Sequence, residues 1–385
     1  MAKPKNAKAP KKKGRGKTVV AVSAKDTGKA TKIPSARDYL AQLKGMDGVV
    51  EGDFTFFGEE LGSSGRAVTE WIPTGILALD RLTGGGWPVG RITEVCSWEG
   101  VGKTTLLDHS IAQAQMMGGI AGLIDSEFGR DPGYTKRLGV RSDELILVEA
   151  KSMDEGFEQL DRIIAVQESY LLRAKDPRKV PPMLLIWDSL GGTATRNELD
   201  NKATVGEHAR MISLNFRRYT QRIAHARIAL VFSNHFYKQI GGYGSLVSFG
   251  GKGIRYYSSL RVWLTKTEEL KLGSGANERV VGHIVEAKLK KTRVSRPKEP
   301  TGLGLIYGAG FHNAYSLFDW GKTAERYPGI PWVKQAGSVY YLSTGPAGEV
   351  ESFSQQYIGL GELFRAQPEI YQTMAHAYLD SDPVT

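Results

Sequence analysis

From about residue 72 onward, short apolar runs alternate with segments whose apolar positions recur at helical spacing. RITEV (91–95), AGLID (121–125), ELILVEA (144–150), MLLIWD (183–188) and IALVFSN (228–234) read as strands. The last two are continuous apolar runs, as strands covered on both faces should be. KTTLLDHSIAQAQMM (103–117) and MDEGFEQLDRIIAVQESYLLRA (153–174) read as helices, the second amphipathic, and a small helical turn fits between AGLID and ELILVEA. This rhythm predicts an α/β fold with a mostly parallel central sheet flanked by helices. SLRVWLTK (259–266) and VVGHIVEAKLKKT (280–292) follow one another without a helix, which predicts added antiparallel strands. Upstream, SARDYLAQL (35–43) reads as a short helix with Ser35 as N-cap and Asp38 three residues on. An irregular glycine-rich stretch follows it to about residue 71, and the chain shows no internal repeat.

The net charge of +10 changes this picture only at one end. Eleven of the 51 basic residues but one of the 41 acids, Asp26, lie within residues 1–33, so that segment carries the whole excess and forty of each sign balance elsewhere. Its Lys/Ala/Pro/Gly composition cannot build a core and predicts a disordered arm. Such an arm serves either solubility or electrostatic capture of nucleic acid, and the second reading is favoured. The single cysteine, Cys96, excludes an internal disulfide framework and suits a reducing compartment. No apolar run has the roughly 18 residues a membrane helix needs. TVVAVSA (18–24) lacks the apolar centre of a signal peptide, so a cytoplasmic protein without membrane contact is expected.

CSWEGVGKTTLL (96–107) carries the candidate chemistry. A phosphate-binding loop needs a strand, a turn presenting backbone N–H groups, and a helix N-terminus whose dipole favours anions. Gly100 and Gly102 permit the turn, Lys103 supplies a point charge for phosphates, and Thr104 supplies a hydroxyl for Mg²⁺. Ser97 stands where the leading glycine of G-x-x-x-x-G-K-[ST] belongs; its effect depends on whether φ must be positive there. Glu99 and Thr105 complete the loop. Asp188 ends an apolar strand, where an acid can hold Mg²⁺ through water, and Glu127, just past Asp125, can orient a water as general base. Without the loop, both acids would read as turn or cap residues.

FYKQIGGYGSLVSFGGKGIR (236–255) sets six glycines between 241 and 253 among Tyr237, Lys238, Tyr243, Phe249 and Lys252. Glycines let such a loop approach a backbone closely, and aromatics stack on or wedge between bases. Arg210 and Arg217 are seven apart and share one face of a helix, suited to phosphate contacts or to plain solvent exposure.

Taken in order, TGILALDRLTGGGWPVGRITEV, the phosphate loop, LIDSEFGRDPGYTKRLGV, LLIWDSL, HARMISLNFRR, LVFSNHF, the glycine-rich 241–253, KKTRVSRP, IYGAGF and FRAQPEIYQTMAHAYL resemble the bacterial RecA recombinases. The resemblance runs from about residue 35 to 380. It implies a RecA-like P-loop ATPase core over 72–312, with DNA-binding loops, and a small C-terminal α/β subdomain over 313–385. Residues 34–71 would be an N-terminal helix and oligomerisation linker, with the tail of 1–33 outside the family pattern. An acidic regulatory tail of bacterial relatives is not expected after the last helix.

By the same resemblance, Lys103, Thr104 and Asp188 match the phosphate-loop lysine, the Mg²⁺ ligand and the second acidic strand, and Glu127 the catalytic glutamate. Asp131 and Tyr134 match residues that contact the adenine amino group and stack on its ring. His235 falls where the bacterial proteins carry a glutamine that senses the γ-phosphate; histidine there looks like phage strand-exchange proteins, and a satisfied buried histidine is the plain alternative. Lys291 and Arg293 match paired cations that reach a neighbouring subunit's ATP, although KLKKTR alone reads as a solvated run. The 236–255 segment corresponds to the second DNA loop, GGTATRNELDNKATVG (191–206) to the first, and Arg210 and Arg217 to cations on DNA phosphate. The function so implied is a DNA-dependent ATPase, binding ATP and Mg²⁺, that forms head-to-tail helical filaments on single-stranded DNA and exchanges it into duplex DNA. Single-strand-binding and loader proteins would be its accessory partners. A hexameric helicase on the same core, or a nucleotide-gated DNA scaffold with little hydrolysis, are the alternatives.

Overall fold

A computed structural model describes residues 68–381 apart from 239–245, 273–274, 323, 325–329, 337–338, 346–347 and 354–356. The basic tail, the expected helix at 35–43 and Tyr243 of the glycine-rich loop lie outside the described residues. Residues 58–385 form one compact unit.

The parallel strands are β3 (Ile92–Ser97), β4 (Ile120–Asp125), β5 (Leu145–Glu149), β6 (Met183–Asp188), β7 (Ile228–Lys238) and β9 (Leu260–Leu272), hydrogen-bonded in the order β9-β3-β7-β6-β4-β5. Beyond β9 the sheet continues antiparallel through β10 (Arg279–Thr292), β11 (Thr301–Ile306) and β12 (Gly310–Phe311), and β8 (Leu246–Ser248) pairs with the end of β7. β1 (Trp71–Ile72) and β2 (Trp87–Pro88) make a separate short pair. The expected mostly parallel sheet with an antiparallel extension is therefore present.

Strand periodicity of two divides the core between the sheet's faces. Leu184 and Ile186 of β6 join a cluster with Leu106, Leu107 and Ile111 of α2 (Lys103–Met116) and with Leu79 and Leu82 of α1 (Leu77–Thr83). Met183, Leu185 and Trp187 of the same strand join the opposite cluster, under α4 (Met153–Arg173) and α6 (Glu207–His225). Phe157 of α4 stands edge-on to Trp187 at 4.9 Å, and Phe216 and Tyr219 of α6 close that side. Ser152 caps α4 by accepting from the Glu155 N–H.

The C-terminal segment holds α8 (Asn313–Gly321), an antiparallel sheet of β13 (Trp332–Ala336), β14 (Val339–Gly345) and β15 (Gly348–Phe353), then α9 (Tyr357–Ala366) and α10 (Pro368–Asp380). Leu317, Leu342, Met374 and Tyr378 join the same cluster as Leu79 and Leu82, so this segment shares its core with the central sheet. The parallel register fixes the site: Ser97 lies beside His235, and Asp125 beside Asp188, at the carboxyl ends of their strands. Open α/β sheets bind ligands at that edge.

Candidate active site

The phosphate loop runs from β3 into α2. Ser97 is the last residue of β3, paired with both His235 and Leu264, and its backbone is extended. A serine is therefore free of strain where a glycine was expected. Its hydroxyl accepts from Lys103 Nζ at 3.1 Å and donates to the Trp98 carbonyl at 2.6 Å. Left-handed backbone is required further on, at Gly100 (φ +70°) and at Gly102 (φ +109°), the N-cap of α2. A Cβ on Gly102 would also stand 3.3 Å from the Phe311 ring. Lys103 also donates to the Trp98 carbonyl at 3.1 Å, and burial pulls its ammonium below the ordinary lysine range.

Beside the loop opens a cleft of about 450 Å³ whose lining includes Glu99, Lys103, Thr104, Glu127, Tyr134 and His235. A larger cavity, about 600 Å³, lies between α1, residues 296–301 and Tyr378, and holds none of these residues. Tyr134 belongs to α3 (Pro132–Arg137), its hydroxyl is 3.3 Å from Thr105 Oγ1, and the Arg137 guanidinium lies 5.6 Å from its ring centre. Asp131 is the N-cap of α3 and accepts from the Gly133 N–H.

Thr104 Oγ1 donates to Asp188 Oδ2 at 3.1 Å, and Ser233 holds the other oxygen of Asp188. Among the described residues no group of three or more His, Cys, Asp or Glu could hold a metal ion. One hydroxyl and one carboxylate suit Mg²⁺, which takes its remaining ligands from phosphates and water. Asp125 Oδ1 accepts the N–H groups of Glu127 and Phe128, shaping the turn that presents Glu127. Glu127 Oε1 lies 3.0 Å from His235 Nε2 and accepts from the Ser189 hydroxyl. The His235 contact, with Ser189 and Lys103 adding to it, holds the Glu127 carboxyl down at about 2.

The RecA N-terminal domain family matches residues 57–312. Protein RecA of Leifsonia xyli subsp. xyli is 32% identical over 304 residues, covering 77% of this chain and 79% of the relative. Protein RecA of Thermotoga maritima is 32% identical over 307 residues, covering 78% and 80%. The chain belongs to the RecA family.

In this RecA-family chain, the segment 191–206 follows β6 and the described residues of 236–255 follow the apolar run of β7, at the same sheet edge as the cleft. The first contains α5 (Arg196–Leu199), closed by a capping box between Thr195 and Glu198. Arg210 and Arg217 are exposed on α6, and Arg217 donates to the Tyr257 hydroxyl at 3.0 Å. Lys252 is exposed on α7 (Gly251–Tyr257), while Phe249 sits half-buried, edge-on to His208 at 5.0 Å. The Lys238 side chain and all of Tyr243 lie outside the described residues. Lys291 and Arg293 are absent from the lining of the cleft. Lys291 Nζ instead donates to the carbonyls of Arg255, Tyr256 and Ser258, capping the end of α7.

Several site residues escape sequence reasoning. His283 lines the cleft from β10, with Nε2 3.3 Å from the Val101 carbonyl and Nδ1 3.3 Å from the Tyr307 hydroxyl. Its local signal is slight: the G-A-G turn at 308–310, left-handed at Gly308 and Gly310, that follows Tyr307. His208 ties the segment 191–206 to Phe249, reaching Glu198 Oε1 at 3.0 Å and the Thr193 carbonyl at 2.9 Å as well as the Phe249 ring. A histidine early in a helix carries no such message in sequence. Among the described residues no helix is long and apolar enough to cross a membrane.

Proposed function

We propose that this chain is an ATP- and Mg²⁺-dependent recombinase that polymerises on single-stranded DNA and exchanges it into a homologous duplex. Family membership supports the class, and one geometric observation supports the mechanism: β7 carries His235 at the cleft and runs directly into the stem of the glycine-rich loop. His235 engages Glu127 across the cleft. A γ-phosphate there competes for His235, freeing Glu127 to orient water and altering the strand that leads to the DNA loop. Lys103 and Thr104 hold the phosphates and Mg²⁺ with Asp188 behind them; Asp131 and Tyr134 hold the adenine. Arg210, Arg217, Lys238, Tyr243, Phe249 and Lys252 serve the DNA. Residues 34–71 dock on a neighbouring subunit, the heterologous arrangement that produces open helical filaments. Imaging the protein on single-stranded DNA with a non-hydrolysable ATP analogue, with a strand-exchange assay in parallel, tests this reading. Closed rings that unwind duplex without a homologous strand would replace it with a helicase, and filaments without turnover with a scaffold.

Deleting residues 1–33 is expected to weaken duplex capture and flatten the salt dependence of DNA binding, because fewer counterions are released. Filaments on single-stranded DNA should still form. An unchanged salt slope would reduce the segment to a solubility device.

Hydrolysis has its own expected pH limit. Burial, reinforced by Arg293 and Arg261, lowers Lys291 to about 8. In the free subunit the cation is present below that pH. A neighbour's ATP phosphates hold its proton longer, so DNA-stimulated hydrolysis should decline on an alkaline limb at or above pH 8. Lys291→Arg should move that limb upward because a guanidinium stays charged. Folding responds oppositely. The unfolded lysine keeps its proton to about 10.5, so the opposition to folding from burying the ammonium is full below pH 8 and fades between 8 and 10.5. An alkaline limb that does not move in Lys291→Arg would remove Lys291 from the reaction.

A further inference from the structure

Arg130 lies in the turn between β4 and α3, where a strand-to-helix connection would ordinarily expose it. Its side chain is instead 11% exposed and points beneath the cleft. Nε donates to Asp108 Oδ1 at 3.0 Å, Nη2 to Asp188 Oδ2 at 2.8 Å, and Nη1 lies 3.6 Å from Asp125 Oδ2. Three carboxylates from α2, β4 and β6 thus share one guanidinium, a division that its planar fork allows and a lysine ammonium does not. Asp188 Oδ2 carries both Arg130 and the Thr104 hydroxyl. Thr135 of α3 donates to Asp108 Oδ2 at 2.8 Å, so the same cluster ties the helix of Tyr134 to the Mg²⁺ side of the cleft.

We propose that Arg130 is a positioning residue for Mg²⁺ loading: it holds Asp188 beside Thr104 ahead of nucleotide and supplies the counter-charge that keeps the site from taking up a divalent cation on its own. The inference rests on the reading of the cleft as an Mg²⁺–nucleotide site. Without the guanidinium, the buried Asp108, Asp125 and Asp188 carboxylates lose their shared counter-charge, a situation relieved by binding a cation. With it, loading is coupled to nucleotide, whose phosphates bring the additional negative charge.

The test measures Mn²⁺ binding to the full-length protein by the loss of the free-ion EPR signal, with and without ATP. Without ATP, the wild type should bind Mn²⁺ weakly. Arg130→Met should tighten that binding about ten-fold, the effect of one unit charge several ångströms away in partly screened surroundings. The half-saturating Mg²⁺ for hydrolysis should fall in the same direction, and kcat should fall because Asp188 is no longer held. Because Arg130→Met leaves Asp108 buried without its ion-pair partner, Arg130→Met combined with Asp108→Leu is the second variant. It removes the most buried of the three carboxylates together with the guanidinium, so its Tm should lie above that of Arg130→Met alone, while the Mn²⁺ change is retained. Arg130→Lys, with its charge kept, should show near-wild-type Mn²⁺ affinity. Wild-type Mn²⁺ affinity and Mg²⁺ dependence in a folded double variant would overturn the proposal and leave Arg130 as a structural partner of the three acids. Absence of ATP-dependent Mn²⁺ uptake in the wild type would instead overturn the reading of the cleft.

Discussion

Lys103→Ala should all but abolish DNA-stimulated ATP turnover while leaving the protein folded. Lys103 is the only buried lysine among the described residues, and its ammonium is held at the mouth of α2 by Ser97 and the Trp98 carbonyl. Phosphates entering the cleft meet that charge in a partly dry site, where a fixed cation is worth far more than in water. Removing one such electrostatic group lowers kcat by about 10²–10³-fold in comparable sites. Ser97→Gly is the informative companion. The extended backbone at Ser97 needs no glycine, so the substitution should leave turnover within a few-fold and remove roughly 0.5–1 kcal/mol of stability through added chain freedom. Steady-state hydrolysis and thermal unfolding decide both. A large gain from Ser97→Gly would show that the hydroxyl impairs the natural site, and near-wild-type turnover in Lys103→Ala would remove the loop from catalysis.

The parts of this fold that are legible in sequence are those where local pattern and burial coincide. β6 is covered on both faces, all six of its positions are buried, and MLLIWD says so directly. The phosphate loop is legible because its glycines and lysine are adjacent in the chain. β7 outruns its apolar run by four residues, because its end is held by pairing with β8, where Tyr237 can stand exposed. β9 likewise continues through exposed Lys266, Glu268 and Glu269, stabilised by its antiparallel partner β10. Arg130 is illegible for another reason: its acids come from positions 108, 125 and 188, and only the folded sheet brings them together. Lys291 is a third case. Its neighbours Lys288 and Lys290 are exposed, as a solvated run predicts, but the register shifts between Leu289 and Lys291 and turns Lys291 toward α7.

That placement sharpens what Lys291 and Arg293 should do. Neither lines the cleft of its own subunit, so if they serve ATP they serve a neighbour's. Lys291→Ala with Arg293→Ala should leave nucleotide binding by an isolated subunit nearly intact, because Lys103, Thr104 and Tyr134 remain. DNA-stimulated hydrolysis should collapse, since the charge gathering on the transferred phosphoryl group loses its partners at the junction between subunits. The double variant also removes the cap on α7, so its folding must be checked by thermal unfolding. Mixing it with Glu127→Gln protein separates lost structure from lost chemistry. Some junctions then join the intact Glu127 of one subunit to the intact cations of the next, and activity should reappear although neither variant alone shows it. Damage confined to each variant's own subunit predicts no such recovery. Its absence at every mixing ratio, in filaments shown to contain both proteins, would place these cations in cis or outside the mechanism.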